Sequence, residues 1–230
     1  MNSGLPNIIL ITPTSGTVGA IITVAGNGYG ANRTIRLEFG ITPTIQVTST
    51  YAEGSWTTTF TIDTQQYGLT TIIAHGDDQQ IQAQGTLTIL PNIILTTPTS
   101  GTVGTIITVR GNGYKASDTI RLAFGTTPTI QLTSTYAEGS FTTTFTIDTQ
   151  NYGSTTITAI GLNSIEAISY CKILPELWSV TPTSGTVGSI VTIRGTGYEA
   201  GEDVYIHFGT TNTITITPAA QEGSWTTTFT

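Results

Sequence analysis

The chain has 230 residues, of which 37% are hydrophobic and only 9% charged, with a net charge of −7. This balance is too apolar for a disordered chain. Its acidity withholds the basic surface that duplex nucleic acid or an anionic membrane would need. With Cys171 the only cysteine, no intrachain disulfide can form. No run of 18 apolar residues is present, so no membrane-spanning helix is expected. The opening "MNSGLPNIIL" has neither the charged nor the long apolar part of a signal peptide. Threonine supplies more than a fifth of the residues, and Ile, Val, Tyr, Phe and Trp fill most apolar positions. These β-branched and aromatic types fit pleated sheet, so an all-β fold is expected.

In chain order, "NIILI" (7–11) is predicted as the first strand, ended by the loop "TPTSGTVG". "AIITVAG" (20–26) follows, with Ile22 and Val24 on one face and Ile21 and Thr23 on the other. After the turn "GNGYGAN" come strands "TIRLEFG" (34–40), "TIQVTST" (44–50) and "SWTTTFTI" (55–62). "LTTIIAHG" (69–76) and "IQAQGTLTIL" (81–90) complete a set of seven, which suits a two-sheet Ig-like sandwich. Alternation puts Trp56, Thr58, Phe60 and Ile62 on the core face, with Thr57, Thr59 and Thr61 turned to water.

The pattern then repeats. "PNIILITPTSGTVGAIITVAGNGYG" from Pro6 returns from Pro91 and again, more divergent, from Pro175, at spacings of 85 and 84 residues. That period is too long for a solenoid coil and matches a sandwich domain. Three domains are expected, at 1–90, 91–174 and 175–230. The third lacks counterparts of "IDTQNYGSTTITAIGLNSIEAISYCKIL" and hence its last two strands. Either the sequence belongs to a longer array, or a partner chain supplies strands by β-augmentation. The joints "TILPNIIL" (88–95) and "KILPELWSV" (172–180) contain a proline and no flexible linker, so a semi-rigid rod is expected.

The residues Pro13, Ser15, Gly16, Gly19, Gly26, Gly28, Tyr29, Phe39 and Gly40, with counterparts in both other copies, resemble the IPT/TIG domain. The resemblance implies an Ig-like fold of the kind found in plexins, some transcription factors and bacterial surface proteins. Near-identical, threonine-rich tandem copies look most like bacterial or archaeal extracellular arrays. The basic loops of DNA-binding relatives have no counterpart in this acidic chain.

Catalysis needs convergent groups, and none is evident. His75 and His207 occupy different parts of the repeat and read as surface or loop residues. Ser15, Ser100 and Ser184 are turn serines, outside any G-x-S-x-G elbow. "GNGYG" joins two strands, so its glycines read as turn formers with positive φ and not as a phosphate loop. Glu53, Glu138, Glu222, Asp63, Asp148 and the Asp77–Asp78 pair lack the spacing of a calcium loop and read as turn chemistry. Cys171, aligned with Leu87, reads as a core thiol, and Trp56, Phe141 and Trp225 as equivalent core aromatics. Trp178, set among aliphatics in the other copies, is the candidate exposed aromatic. No catalytic, cofactor-binding or metal-ligating residue is therefore assigned, and no cofactor. The expected protein is a non-enzymatic structural repeat of an extracellular or cell-surface fibre, stalk or layer. Self-association and glycans are its expected partners, without nucleic acid or membrane insertion. A carbohydrate-binding or adhesive accessory module is the alternative.

Overall fold

The computed structural model describes residues 5–77 and 82–230, nearly all of whose regular structure is strand. Asp78, one half of the adjacent acidic pair, lies outside those residues. The first repeat contains β1 (Asn7–Thr12), β2 (Ser15–Gly16), β3 (Ile21–Asn27), β4 (Thr34–Phe39), β5 (Thr42–Ser49), β6 (Trp56–Thr61), β7 (Gly68–His75) and β8 (Gln82–Ile89). They form two sheets, β1-β3-β6 and β2-β8-β7-β4-β5. All ladders are antiparallel except β2–β8, where Ser15 and Gly16 run parallel to Thr88 and Ile89. The segment "TPTSGTVG", expected to be a loop, thus carries a short extra strand that moves the chain from one sheet to the other. Two paired residues leave no alternation for a sequence to display.

The second repeat has the same design in β9 (Asn92–Thr97), β10 (Ser100–Gly101), β11 (Ile106–Asn112), β12 (Thr119–Phe124), β13 (Thr127–Ser134), β14 (Phe141–Thr146), β15 (Gly153–Ile160) and β16 (Glu166–Ile173). The sheets are β14-β11-β9 and β10-β16-β15-β12-β13. A single 3-10 turn, Leu162–Ser164, lies in the connection that the sequence shortens by one residue. The third repeat holds β17 (Glu176–Thr181), β18 (Val191–Thr196), β19 (Asp203–Phe208), β20 (Thr211–Pro218) and β21 (Trp225–Phe229), paired as β17-β18-β21 and β19-β20.

Strand alternation builds each core. Along β6 the buried residues are Trp56 and Phe60, with Ile62 just beyond, while Thr57, Thr59 and Thr61 are exposed. Each repeat has its own cluster of buried apolar side chains. Ile22, Leu37, Phe39 and Leu87 belong to the first, and Ile107, Leu122, Phe124 and Cys171 to the second. The third cluster holds only Ile193, Val204, Ala219 and Trp225. Every core carries the same aromatic pair, edge to face: Trp56 on Tyr29 at 6.4 Å, Phe141 on Tyr114 at 5.7 Å and Trp225 on Tyr198 at 5.7 Å between ring centroids. The first glycine of "GNGY" serves this pair and not a turn. A Cβ at Gly26 would stand 2.6 Å from Trp56 Cε2, so the ring lies directly on the backbone of β3.

Candidate functional site at the repeat joints

The joints bring together residues from both neighbouring repeats. Only Leu90 and Pro91 separate β8 from β9, and only Leu174 and Pro175 separate β16 from β17. At the first joint the Tyr67 N–H donates to the Tyr114 carbonyl at 3.0 Å, and at the second the Tyr152 N–H donates to the Tyr198 carbonyl at 3.1 Å. The accepting carbonyl belongs to the Tyr of "GNGY" or "GTGY", presented by a turn whose positive-φ glycine immediately precedes it. Gly113 has φ +74, and a Cβ there would lie 2.3 Å from the Leu90 oxygen. The linker therefore packs against a position that accepts glycine alone without rearrangement.

Gln66 strengthens the first joint. Its Nε2 donates to the Ala137 carbonyl at 2.9 Å, and its Oε1 accepts from the Ala116 N–H at 3.4 Å. Asn151 stands in its place at the second joint, one methylene shorter, and makes neither bond. There a cleft of about 210 Å³ opens between the repeats, lined by Thr126, Gln150, Asn151, Gln221 and Glu222. Lys172 instead places its Nζ 5.5 Å from the centroid of the Tyr152 ring, bracing the loop from its own repeat.

The residues singled out in the sequence fall mostly into structural roles. Trp56, Phe141 and Trp225 are core aromatics, and Cys171 is buried with its thiol pKa pushed up by desolvation. Ser55, Ser140 and Ser224 each donate to the glutamate two residues earlier, at 2.8 Å, closing the "EGS" turns. The Ser55 and Ser224 hydroxyls hold the Glu53 and Glu222 carboxyls below the usual carboxylate range. Asp63 and Asp148 accept from Gln65 and Gln150 at 2.8 and 2.9 Å, and also from Thr42 and Thr127. These networks tie β5 and β13 to the loop after the threonine strand.

His75 is a correction. It is buried, not a surface or loop residue, because it ends β7 between Arg36 and Gln82 in the ladder, and its Nε2 lies 2.9 Å from Glu38 Oε2. His207 is exposed and accepts from the Thr213 N–H at 3.1 Å. The two histidines share no site. Ser15 and Ser100 lie in the short parallel strands, and Ser184 in the corresponding exposed turn. Among the described residues no group of three or more His, Cys, Asp or Glu is placed to hold a metal ion. Among them, too, no helix is long and apolar enough to cross a membrane. Trp178 is 58% exposed.

The joint residues Gln66 and Tyr67 were not singled out in the sequence. Their signal was the recurrence of "TQQYG" as "TQNYG" outside any strand pattern. Strand pairing also builds a cross-strand row of threonines on the outer face of the smaller sheet. Thr12, Thr23 and Thr59 lie side by side in the first repeat, and Thr97, Thr108 and Thr144 in the second. Thr181, Thr192 and Thr228 repeat the row in the third.

The IPT/TIG domain family matches residues 175–228. No curated protein sequence matches the chain. Among solved structures, the adhesin InvE of Yersinia pseudotuberculosis is 13% identical with a TM-score of 0.36, the match covering 82% of this chain and 67% of that one. A protein crystallised with a xylogluco-oligosaccharide is 18% identical with a TM-score of 0.36, covering 98% of this chain and 60% of that one. A Ca2+-stabilised, ice-binding adhesin of an Antarctic bacterium is 13% identical with a TM-score of 0.29, covering 99% and 66%.

Proposed function

We infer that this chain, whose third repeat is matched by the IPT/TIG family and whose first two repeats carry the same residues, is a non-enzymatic structural segment. It serves an extracellular or cell-surface fibre, stalk or layer as a rod of three domains, 1–90, 91–174 and 175–230. The observation that carries this reading is the recurrence of one main-chain bond, from the Tyr67 N–H and from the Tyr152 N–H, across two-residue linkers. A bond between the same backbone atoms at both joints restrains neighbouring repeats in the same way, which suits a spacer or filament. The threonine rows give the smaller sheet a hydrogen-bonding outer face, which the exposed Arg110 and Arg194 share in the second and third repeats. Small-angle scattering is expected to give the profile of an extended rod whose length is insensitive to salt. A compact or salt-dependent particle would overturn the reading. Sedimentation across a concentration series tests side-by-side association of copies.

Trp178 favours a second reading, an adhesive module whose exposed indole stacks on a sugar ring. On a glycan array, binding that Trp178→Ala abolishes while the melting temperature holds would support it. An array without binders would remove it.

A further inference from the structure

Most of the seven lysines and arginines in this acidic chain are engaged by neighbours. Arg33 faces Asp77 at 3.7 Å, Arg36 and Arg121 donate to the Pro43 and Pro128 carbonyls, and Lys172 lies over the Tyr152 ring. Lys115 on a loop, and Arg110 and Arg194 on strands, are exposed without a side-chain partner among the described residues. The two arginines occupy one position of the repeat, in the middle strand of the smaller sheet, where the first repeat has Ala25. In the second repeat Arg110 is the only charge on the three strands of that sheet. In the third, only Glu176, half-buried at the start of β17, accompanies Arg194.

The third repeat adds an aromatic to this position. Ile193 is buried in the core, so alternation turns Arg194 outward. Ser179 of β17 and Thr226 of β21 flank it in the ladder, and Thr181, Thr192 and Thr228 form the next rung. Leu177 pairs with Gly195 and Ser179 with Arg194, so a bulge inserts Trp178 between those pairs. Trp178 is thus a diagonal neighbour of Arg194, within reach of a ring and a long side chain. Its exposure belongs to the design of the repeat. At the same bulge the two complete repeats carry Ile9, 56% exposed, and Ile94, 47% exposed.

An indole, an unpaired guanidinium and a surround of hydroxyls on the open face of a sheet suit one ligand chemistry. The indole offers its ring to the apolar face of a sugar, and the threonine and serine hydroxyls meet the sugar's own. The guanidinium fork donates two parallel hydrogen bonds to a carboxylate, which a neutral sugar lacks. An acidic peptide strand would instead seek a sheet edge or a groove.

We propose that the outer face of the smaller sheet in the third repeat binds acidic sugars, Trp178 stacking on a uronate ring and Arg194 pairing with its carboxylate. This rests on the adhesive reading of Trp178 and names the class of its ligand. The test titrates the intact 230-residue chain calorimetrically, at low salt, with oligogalacturonate and with its methyl ester. The acid is expected to bind about tenfold tighter than the ester, the worth of one charge-assisted pair. Arg194→Gln is expected to erase that difference and keep the ester affinity, whereas Trp178→Ala weakens both ligands. Both side chains are exposed, so the melting temperature should hold in each variant. Ile94→Trp with Leu95→Ser, beside Arg110, is expected to raise the stoichiometry from one site per chain to two. Equal affinity for acid and ester, or a preference that survives Arg194→Gln, overturns the acidic ligand and leaves the stacking reading in place. Acid binding that Trp178→Ala leaves untouched overturns the stacking reading, and no binding of either ligand overturns both. A change in sedimentation of the glycan-free chain on Arg194→Gln would assign the arginine to contact between copies and overturn the proposal.

Discussion

At the scale of single residues, the aromatic that begins each threonine strand holds its repeat together. Phe141 is buried edge to face with Tyr114 and rests on the backbone of Gly111. Phe141→Ala is expected to cost about 3–5 kcal/mol in a urea unfolding experiment. Thr144→Ser, on the opposite face of the same strand, is expected to stay within about 0.5 kcal/mol. Tyr29 adds a pH dependence. Its hydroxyl donates to the Ala74 carbonyl at 2.8 Å, and burial pushes its pKa up to about 12. Because the folded value exceeds the unfolded one, the contribution is fully present below about pH 10. It is lost as pH rises through the folded value. Unfolding midpoints are therefore expected to fall steeply between those limits, and Tyr29→Phe is expected to flatten that fall after a constant loss of about 1 kcal/mol.

At the scale of elements, the joints divide the labour between backbone and side chain. Gly113→Ala places a methyl group against the Leu90 carbonyl at a positive φ and is expected to cost more than about 1 kcal/mol. Gln66→Ala removes only exposed bonds, so melting should hardly move, yet the first two repeats should reorient more freely. NMR relaxation of the two repeats, tumbling together in the parent and separately in the variant, checks this. Asn151→Gln should tighten the second joint by the same measure. The strands themselves were legible because alternation announces them, as in Trp56, Phe60 and Ile62 against Thr57, Thr59 and Thr61. The joints were not, because Gln66 works through main-chain partners about 50 and 71 residues away, at Ala116 and Ala137. Hydrogen bonds to backbone leave no complementary residue to find. The burial of His75 is illegible for a related reason, since it follows from its place in the ladder beside Glu38 and not from local pattern.

At the scale of the whole molecule, tandem sandwiches were legible from the repeat period and the recurring Pro, Gly and Tyr positions, while the transfer of β2 and β10 into the larger sheet was not. That transfer matters once the chain is pulled. β2 and β8 lie side by side and parallel, joined by bonds from the Thr88 N–H to the Thr14 carbonyl and from the Leu90 N–H to the Gly16 carbonyl. The second repeat matches them with Lys172 to Thr99 and Leu174 to Gly101. Tension carried through β2 and out along β8 would load these bonds in shear, all at once. Stretched from its two ends in a force-spectroscopy experiment, the chain is expected to show two separate high-force events, one for each of the first two repeats.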